Sequence, residues 1–281
     1  MAKLLEGKIV ADKIKEQLKA NVQSLKQAPV LASILVGDNL SAMTYAKSQA
    51  KIAASLGVVY KPHQLAQDTS EKELISFILK LNADQGVNGI IVQIPLPQHI
   101  DYMKICESIF PDKDVEGMHP VNMGKVLFGK VRIAPCTATS VMELLNFTGI
   151  DLYGKEIVVV GHSEIIGKPL VMLLLEKFAT VTVCHIGTSK AGKLEEHVKK
   201  AEILIVAVGK PGLIKGGWIK EGAIVIDVGI NRVNDKIVGD VEFEVAQKRA
   251  SWITPVPGGV GPLTVAILMR NLVEATQAQQ K

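Results

Sequence analysis

The chain is poor in cysteine and has no long apolar run. Its three cysteines, Cys106, Cys136 and Cys184, are widely spaced, and none forms a C-x-x-C pair. An odd number of scattered cysteines argues against a disulfide framework and against a zinc site, so we expect no metal. Nowhere do about 18 apolar residues run together, and no basic segment leads into an apolar one near Met1. We therefore expect a soluble, cytoplasmic protein with neither a membrane span nor a signal peptide.

Aromatic residues and an excess of one charge are also scarce. Aromatic residues make up 4% of the chain, and 32 lysines and arginines against 28 acidic residues give a net charge of +4. There is no basic block interleaved with aromatic residues, so the sequence does not predict binding to nucleic acid. A mildly positive chain favours an anionic small molecule as ligand.

What the chain does have is short apolar runs that alternate with amphipathic segments. With 281 residues, of which 48% are hydrophobic, it can bury a full core and is expected to form two domains. The sequence predicts helices at 9–27, 41–56, 70–83, 168–178, around 190–199 and 263–278. It predicts strands at 30–36, 58–60, 89–94, 156–160, 180–184, 203–208 and 223–228. This alternation indicates βαβ units and mainly parallel sheets, so the fold class is α/β.

The alternation stops and restarts near residues 138–150, where we place the domain boundary. The first α/β domain is expected to contain residues 1–140 and 265–281, because the final helix returns to it. The second domain is expected to contain residues 141–264. Its strands are rich in β-branched residues, which is typical of a Rossmann-like parallel sheet that is buried on both faces.

Proline and glycine are concentrated near the C-terminus, where they make up six of the eight residues from 255 to 262. Proline fixes φ and glycine allows another molecule to approach the backbone, so this loop is rigid and shaped. A second rigid segment, 93–97, follows the apolar residues 89–92. Ligands bind at strand ends in α/β sheets, which favours a pocket here, although a stiff surface turn would have the same composition.

A glycine turn links the strand at 156–160 to the next helix. The segment from Gly161 to Pro169 can hold a pyrophosphate on backbone N–H groups at a helix N-terminus. Its glycine spacing is G-x5-G and not G-x-G-x-x-G, so an ordinary connection between strand and helix stays an alternative. Two further glycine-containing loops, 209–212 and 227–231, follow strands of the same sheet and favour dinucleotide binding.

The choice between NADP and NAD stays open. Residues 184–188 contain neither an acid for the ribose 2′-hydroxyl nor an arginine for a 2′-phosphate. His162 and His185 can contact a phosphate when they are protonated, although a lone histidine is more often structural. The residues expected to bind the cofactor are Gly161, His162, Ser163, Ile165, Gly167, His185, Gly209 and Ile230.

Several longer motifs extend over nearly the whole chain. They are Val36–Asn39 followed by Tyr45, Val92–Pro97, Asp112–Pro120, Pro135–Thr137, Gly161–Ser163 and Thr254–Thr264. In this order they resemble the methylenetetrahydrofolate dehydrogenase/cyclohydrolase family. The resemblance implies a homodimeric enzyme that oxidises 5,10-methylenetetrahydrofolate with NADP or NAD. Most members of the family also hydrolyse the methenyl product to 10-formyltetrahydrofolate.

The chain departs from the family pattern at several positions. Family members carry a lysine four residues after the tyrosine, where this chain has Gln49. At about 100° per residue, positions 45 and 49 share a helix face, whereas Lys47 lies roughly opposite and Lys51 lies well off it. Glu116 replaces the second aspartate of the family's Asp-Val-Asp-Gly and reaches one methylene further. His162 stands where the family often has arginine.

The resemblance also implies the site residues. The catalytic residues are expected to be Tyr45, Gln49, Gln93 and Glu116. Substrate binding is expected from Tyr45, Gln93, Glu116, Pro257, Gly258, Gly259 and Pro262. In this arrangement Tyr45 lies near the reacting bridge, and Glu116 accepts hydrogen bonds from the pterin. Taken alone, Tyr45 would more simply be a half-buried tyrosine, Gln93 a glutamine at the end of a strand, and Glu116 a solvated glutamate.

Three functions stay open. Hydride transfer from the methylene bridge requires alignment with the nicotinamide and no protein base. Hydrolysis requires a group that takes a proton from water, and Gln49 can orient water but cannot titrate. We therefore expect a dehydrogenase with weak or absent cyclohydrolase activity. The alternatives are a bifunctional enzyme in which Glu116 or a re-aimed lysine restores hydrolysis, and a non-catalytic homologue that binds folate or a nucleotide.

Overall fold

The computed structural model describes residues 1–280, which form two compact units. One unit consists of Lys13–Cys136 and of the C-terminal segment that begins at Val265, and we call it the three-strand unit. The other consists of Met1–Asp12 and Thr137–Thr264, and we call it the six-strand unit. Among the described residues, no helix is both long enough and apolar enough to cross a membrane.

Strands and helices alternate along most of the chain. The strands are β1 (Lys3–Leu4), β2 (Val30–Val36), β3 (Val59–Leu65), β4 (Gly89–Val92), β5 (Glu156–Val160), β6 (Thr180–Cys184), β7 (Ile203–Val206), β8 (Ile224–Asp227), β9 (Asn231–Val233), β10 (Lys236–Val238) and β11 (Trp252–Ile253). The helices are α1 (Gly7–Gln23), α2 (Leu40–Leu56), α3 (Glu71–Ala83), α4 (Tyr102–Ser108), α5 (Pro120–Leu127), α6 (Cys136–Thr148), α7 (Gly167–Leu175), α8 (Ile186–Lys190), α9 (Leu194–Lys200), α10 (Phe243–Ala246) and α11 (Gly261–Gln279). A short 3₁₀ turn spans Gly216–Trp218.

The sheet of the three-strand unit is parallel, with the order β3-β2-β4. Its central strand β2 is apolar except for Ser33, and every residue after the first is buried. Helix α2 begins where the Asn39 side chain accepts hydrogen bonds from the backbone N–H groups of Ser41 and Ala42, both at 3.1 Å. It ends at Gly57, whose φ of +78° suits glycine. These caps set the register of the helix face that packs on the sheet.

The main sheet of the six-strand unit is also parallel, with the order β1-β11-β8-β7-β5-β6. Strands β7 and β8 are buried throughout, as expected for a parallel sheet covered on both faces. The chain passes from β5 to β6 on one side and then to β7 on the other side of β5. Ligands bind beyond the carboxyl ends of the strands at such a reversal.

The predicted α/β class with parallel sheets in two domains is confirmed, and so is the return of the final helix. The side chain of Asn271 on α11 donates to the carbonyl of Val115 at 2.9 Å, within the three-strand unit. The domain limits expected from the sequence stay a prediction. The structure groups residues 1–12 with the six-strand unit, since β1 pairs with β11.

Some predicted elements differ from the observed ones. The predicted helix at 190–199 is wrong as a single element, because α8 and α9 are separated by a turn in which Gly192 has a φ of +71°. The predicted boundary region near 138–150 lies largely within the continuous helix α6. Helices α4, α5 and α6 were not expected from the sequence pattern.

Candidate active site and cofactor cleft

A cluster of buried polar side chains lies beside β2 in the three-strand unit. Because β2 is flanked by β3 on one side and β4 on the other, the chain reverses here and a ligand crevice is expected. Ser33 lies on β2, Gln93 directly follows β4, and Gln49 lies on α2. Their exposed fractions are 3%, 2% and 0%, respectively.

Hydrogen bonds join these side chains. Nε2 of Gln93 donates to Oγ of Ser33 at 2.9 Å and to Oε1 of Gln49 at 2.8 Å. The hydroxyl of Tyr60 donates to the same oxygen of Gln49 at 3.2 Å. Burial raises the pKa of Tyr60, which keeps the phenol a neutral donor. Nε2 of Gln49 is buried without a hydrogen-bond partner, and such a donor is unusual enough to indicate a position for a ligand or a water.

Tyr45 lies one helical turn before Gln49 on α2. Its side chain is 37% exposed, so the helix presents an accessible phenol next to a buried amide. The two lysines of the same helix, Lys47 and Lys51, are both exposed. The lysines of α2 therefore lie outside the buried cluster.

Glu116 lies in a tight loop that is anchored by the buried carboxylate of Asp114. One oxygen of Asp114 accepts the N–H of Gly117 at 3.0 Å, and the other accepts the N–H of His119 at 2.8 Å. The side chain of Asn122 also donates to Asp114, at 2.9 Å. Gly117 has a φ of +78°, and a Cβ at this position would overlap neighbouring backbone. The loop therefore fixes the backbone of Glu116.

The carboxyl group of Glu116 is poorly solvated. Burial, and then the charge of Asp114, raise the pKa of Glu116 to about 8. A carboxyl group with this pKa is mainly protonated at pH 7 and lies in the range useful for a general acid or base. Burial also raises the pKa of Tyr102 and of Cys136, with a further contribution from Glu116 in each case. This environment differs from that of a solvated surface glutamate.

The six-strand unit contains a cleft of about 450 Å³ beyond the carboxyl ends of β5, β6 and β7. Its walls include Gly161, His162 and Ser163 after β5, His185 after β6, and Val208 and Lys210 after β7. The cleft therefore lies at the reversal around β5, where a dinucleotide is expected.

The turn after β5 is closely packed. Gly161 has a φ of +124°, and a Cβ there would lie 2.3 Å from the carbonyl oxygen of Ala207. The backbone carbonyl of Ser163 accepts the N–H of Lys168 at 3.0 Å, and its hydroxyl accepts the N–H of Ile166 at 3.3 Å. These contacts hold the first wall of the cleft in place.

Two histidine rings face each other in the cleft. The rings of His162 and His185 have centroids 5.1 Å apart and an interplanar angle of 36°. His185 caps α8, and its Nδ1 accepts the N–H of Gly187 at 3.1 Å. Because Nδ1 is an acceptor, the proton of neutral His185 lies on Nε2, which is then available as a donor.

The structure brings four of the predicted cofactor residues together in the cleft: Gly161, His162, Ser163 and His185. Gly167 lies behind them, and a Cβ there would be 2.3 Å from the carbonyl oxygen of Gly161. Ile165 and Gly209 are not among the residues that line the cleft. The cofactor contacts of all these residues stay predictions.

The loop rich in proline and glycine borders a second cavity of the six-strand unit, with a volume of about 200 Å³. Its lining includes Pro257, Gly258, Gly259, Pro262 and Ile230. The N–H of Gly259 donates to the carbonyl of Pro255 at 2.8 Å, which folds the loop on itself. Ile230, which is expected from the sequence to bind the cofactor, thus lines this cavity and not the cleft.

The sequence pattern does not reveal the role of the buried acid Asp227. Asp227 ends β8 and accepts the backbone N–H groups of Gly229, Asp240 and Val241 at 2.9 to 3.1 Å. Burial raises the pKa of Asp227 to about 6, although these hydrogen bonds oppose the shift. The only sequence signal is an acid that ends the apolar run Ile-Val-Ile. Among residues 1–280, no three His, Cys, Asp or Glu side chains are grouped so that they could hold a metal ion.

Two family models match the chain. The model for the catalytic domain of tetrahydrofolate dehydrogenase/cyclohydrolase matches residues 5–116. The model for the NAD(P)-binding domain of tetrahydrofolate dehydrogenase/cyclohydrolase matches residues 135–280.

Similar proteins match over the full length of the chain. A bifunctional protein FolD from Acetivibrio thermocellus is 52% identical over 284 residues, which cover 100% of this chain and 99% of the relative. The crystal structure of the bifunctional enzyme FolD from Campylobacter jejuni, a methylenetetrahydrofolate dehydrogenase/cyclohydrolase, has a TM-score of 0.95 at 45% identity and covers 99% of both chains. The structure of the Trypanosoma brucei enzyme in complex with NADP and an inhibitor has a TM-score of 0.93 at 38% identity, and covers 99% of this chain and 98% of that chain.

Proposed function

Because the chain belongs to the tetrahydrofolate dehydrogenase/cyclohydrolase family, we propose that it is an NAD(P)-dependent enzyme that oxidises 5,10-methylenetetrahydrofolate to 5,10-methenyltetrahydrofolate. The reaction removes a hydride from the methylene carbon between N5 and N10, and it leaves a cation shared by the two nitrogens. No proton passes to the protein in this step. The protein therefore contributes mainly by aligning the reacting atoms.

The observation that carries this proposal is the buried, neutral cluster of the Gln49 and Gln93 amides and the Ser33 hydroxyl. A neutral cluster does not oppose the developing cation, whereas a protonated lysine at position 49 would do so. In our proposal Tyr45 contacts the reacting methylene bridge, and Gln93 orients the side chain of Gln49. Glu116 accepts hydrogen bonds from the N–H groups of the pterin in this proposal.

We propose that cyclohydrolase activity is weak or absent. Water must lose a proton as it attacks the methenyl carbon, and a positioned acid or base typically contributes a factor of about 10²–10⁴ to such a step. The amide of Gln49 cannot accept this proton. Lys47 and Lys51 are exposed and lie outside the buried cluster.

One observation favours a second candidate, a fully bifunctional enzyme that forms 10-formyltetrahydrofolate. The pKa of Glu116 is raised to about 8, so this carboxyl group could exchange a proton with water near neutral pH. A non-catalytic homologue that binds folate or a nucleotide is the third candidate. The closely packed glycine turn and the folded proline- and glycine-rich loop argue against it, since a protein that had lost its activity would not need both.

The cleft of the six-strand unit fits a dinucleotide. Gly161 and Gly167 bring backbone atoms so close that a Cβ at either position would lie 2.3 Å from a carbonyl oxygen. NAD(P), when bound, supplies the hydride acceptor. In our proposal the Gly161–Ser163 turn holds the phosphates, and the two histidines face the adenosine ribose. NADP is the proposed cofactor because Nε2–H of His185 can donate to a 2′-phosphate while Nδ1 keeps its bond to Gly187, and NAD is the alternative.

We also propose that the enzyme is a cytoplasmic homodimer that acts on one-carbon derivatives of tetrahydrofolate, as the family resemblance implies. Strand β6 lies at an edge of its sheet and offers a surface for pairing. Val183 on this strand is 37% exposed. Nearby, Tyr153 and Phe178 are 70% and 73% exposed, and their ring centroids are 5.7 Å apart.

An assay that follows reduced nicotinamide and methenyl product in one reaction tests these functions. With 5,10-methylenetetrahydrofolate and NADP or NAD, we expect both products to form in equal amounts and the methenyl product to accumulate. If the methenyl product disappears at an enzyme-dependent rate comparable to its formation, the bifunctional candidate is correct. If neither cofactor is reduced, the non-catalytic candidate is correct.

A further inference from the structure

The loop that follows β7 is folded around a buried carboxylate. The N–H groups of three consecutive residues, Val208, Gly209 and Lys210, donate to Asp240 at 2.8, 3.0 and 2.8 Å. Successive N–H groups that converge in this way form a concavity that binds anions. The carboxylate of Asp240 occupies this concavity, and Asp240 is fully buried.

Asp240 also connects this loop to the segment that joins β8 to β9 in the six-strand unit. The side chain of Asn231, at the start of β9, donates to Asp240 at 2.8 Å. The backbone N–H of Asp240 donates to Asp227 at 3.1 Å, and Asp227 also accepts the N–H of Gly229 at 2.9 Å. A Cβ at Gly229 would lie 2.3 Å from Cγ of Asp240, so the backbone after β8 packs directly on the carboxyl group.

These loops form walls of the cofactor cleft and of the smaller cavity beside the loop rich in proline and glycine. Val208 and Lys210 line the cofactor cleft, and Gly229 lines the smaller cavity. We propose that Asp240 is a positioning residue for the cofactor: it holds the backbone of residues 208–210 in the arrangement that shapes the cleft, and it does not itself line the cleft. This inference rests on the proposed function of the cleft as the NAD(P) site.

The hydrogen-bond count explains why an aspartate is needed. Each oxygen of Asp240 accepts two hydrogen bonds: Val208 and Gly209 donate to Oδ2, and Lys210 and Asn231 donate to Oδ1. An asparagine would replace one oxygen with an NH₂ group that faces two N–H donors. Because buried donors without an acceptor are costly, the loop would have to move.

The test compares Asp240→Asn with the wild-type protein, both at full length. Titration calorimetry gives the dissociation constants of NADP and of tetrahydrofolate separately, and thermal unfolding checks that the variant is folded. We expect the NADP constant to rise by about tenfold or more, as for the loss of a charge-assisted hydrogen bond. The tetrahydrofolate constant should change by less than about twofold.

A matched control is Asp114→Asn, which alters a buried acceptor of backbone N–H groups in the three-strand unit. This variant should weaken the binding of tetrahydrofolate and leave the dissociation constant of NADP unchanged. The inference would be overturned if Asp240→Asn weakened the binding of both ligands equally, or if it left the dissociation constant of NADP unchanged.

If Asp240→Asn does not fold, Asn231→Ala supplies the same test, because it removes one of the donors and keeps the carboxylate. A smaller loss that is selective for NADP supports the inference, and no selective loss overturns it. A wild-type protein that binds neither ligand would instead contradict the proposed function, so the two failures are distinguishable.

Discussion

Among single residues, position 49 decides which of the two family reactions the site can support. The Oε1 atom of Gln49 accepts two hydrogen bonds, from Gln93 and Tyr60. A lysine offers donors only, so the amide of Gln93 would have to turn and present its oxygen. The exchange of lysine for glutamine therefore changes both the charge at the site and the direction of its hydrogen bonds.

Restoring the lysine should restore proton transfer. We predict that Gln49→Lys increases enzyme-dependent hydrolysis of 5,10-methenyltetrahydrofolate by on the order of 10²-fold, because a buried lysine with a lowered pKa can accept a proton from water. The decay of methenyl absorbance measures this rate. Ser48→Lys, which adds an exposed lysine to the same helix, should give no gain. If Gln49→Lys binds tetrahydrofolate normally and still gains nothing, another residue such as Glu116 limits hydrolysis.

Glu116 should make binding of tetrahydrofolate depend on pH. Its pKa of about 8 in the free protein means that it is mainly protonated at pH 7, and ionisation makes it a stronger acceptor that no longer carries an O–H donor. The N–H groups of the pterin bind more strongly to a charged acceptor, so we predict that affinity increases between about pH 7 and about pH 9. Calorimetry across this range should show a flat profile for Glu116→Gln and a retained slope for Glu116→Asp. An affinity that falls with rising pH in the wild type would refute this role.

At the scale of helices and strands, uniform apolar runs were predictable and long-range contacts were not. Strands β2, β5 and β6 have the bounds that their runs of apolar and β-branched residues predict. Helices α4 and α5 have only seven and eight residues, too few for a helical period to be clear. Ser33 is joined to a residue 60 positions away, and Asp240 to a loop about 30 positions away, so no local pattern reveals them. The roles of Tyr45, Gln93 and Glu116 came from family resemblance.

The junction between β5 and α7 should tolerate no side chain at Gly161. Its φ is +124° and a Cβ would lie 2.3 Å from the carbonyl oxygen of Ala207, so Gly161→Ala must displace the loop after β7. We predict a loss of roughly 1–3 kcal/mol in the free energy of unfolding, together with weaker NADP binding. Denaturant titration and calorimetry measure the two effects. Gly217→Ala, where a Cβ meets nothing within 4 Å, is the control. Unchanged NADP binding in Gly161→Ala would place the cofactor elsewhere.

In the molecule as a whole, the two units use the same structural solution for different ligands. Each parallel sheet has a strand, β2 or β5, with strands that follow it in the chain on both of its sides, and each candidate site lies at that reversal. In each unit a buried aspartate, Asp114 or Asp240, gathers the backbone N–H groups of a nearby loop. Backbone loops held by buried carboxylates therefore help to shape both candidate sites.

The oligomeric state can be tested at the edge of the larger sheet. Light scattering after gel filtration should give twice the chain mass of 30.3 kDa for the wild type. We predict that Val183→Lys shifts the protein towards the monomer, because a charge on an edge strand opposes pairing with a second copy. Leu79→Lys removes an apolar side chain that is 50% exposed on α3, and it should leave the mass unchanged. A monomeric wild type would contradict the proposed dimer. A Val183→Lys protein that stays fully dimeric would instead show that the subunits pair through a surface other than β6.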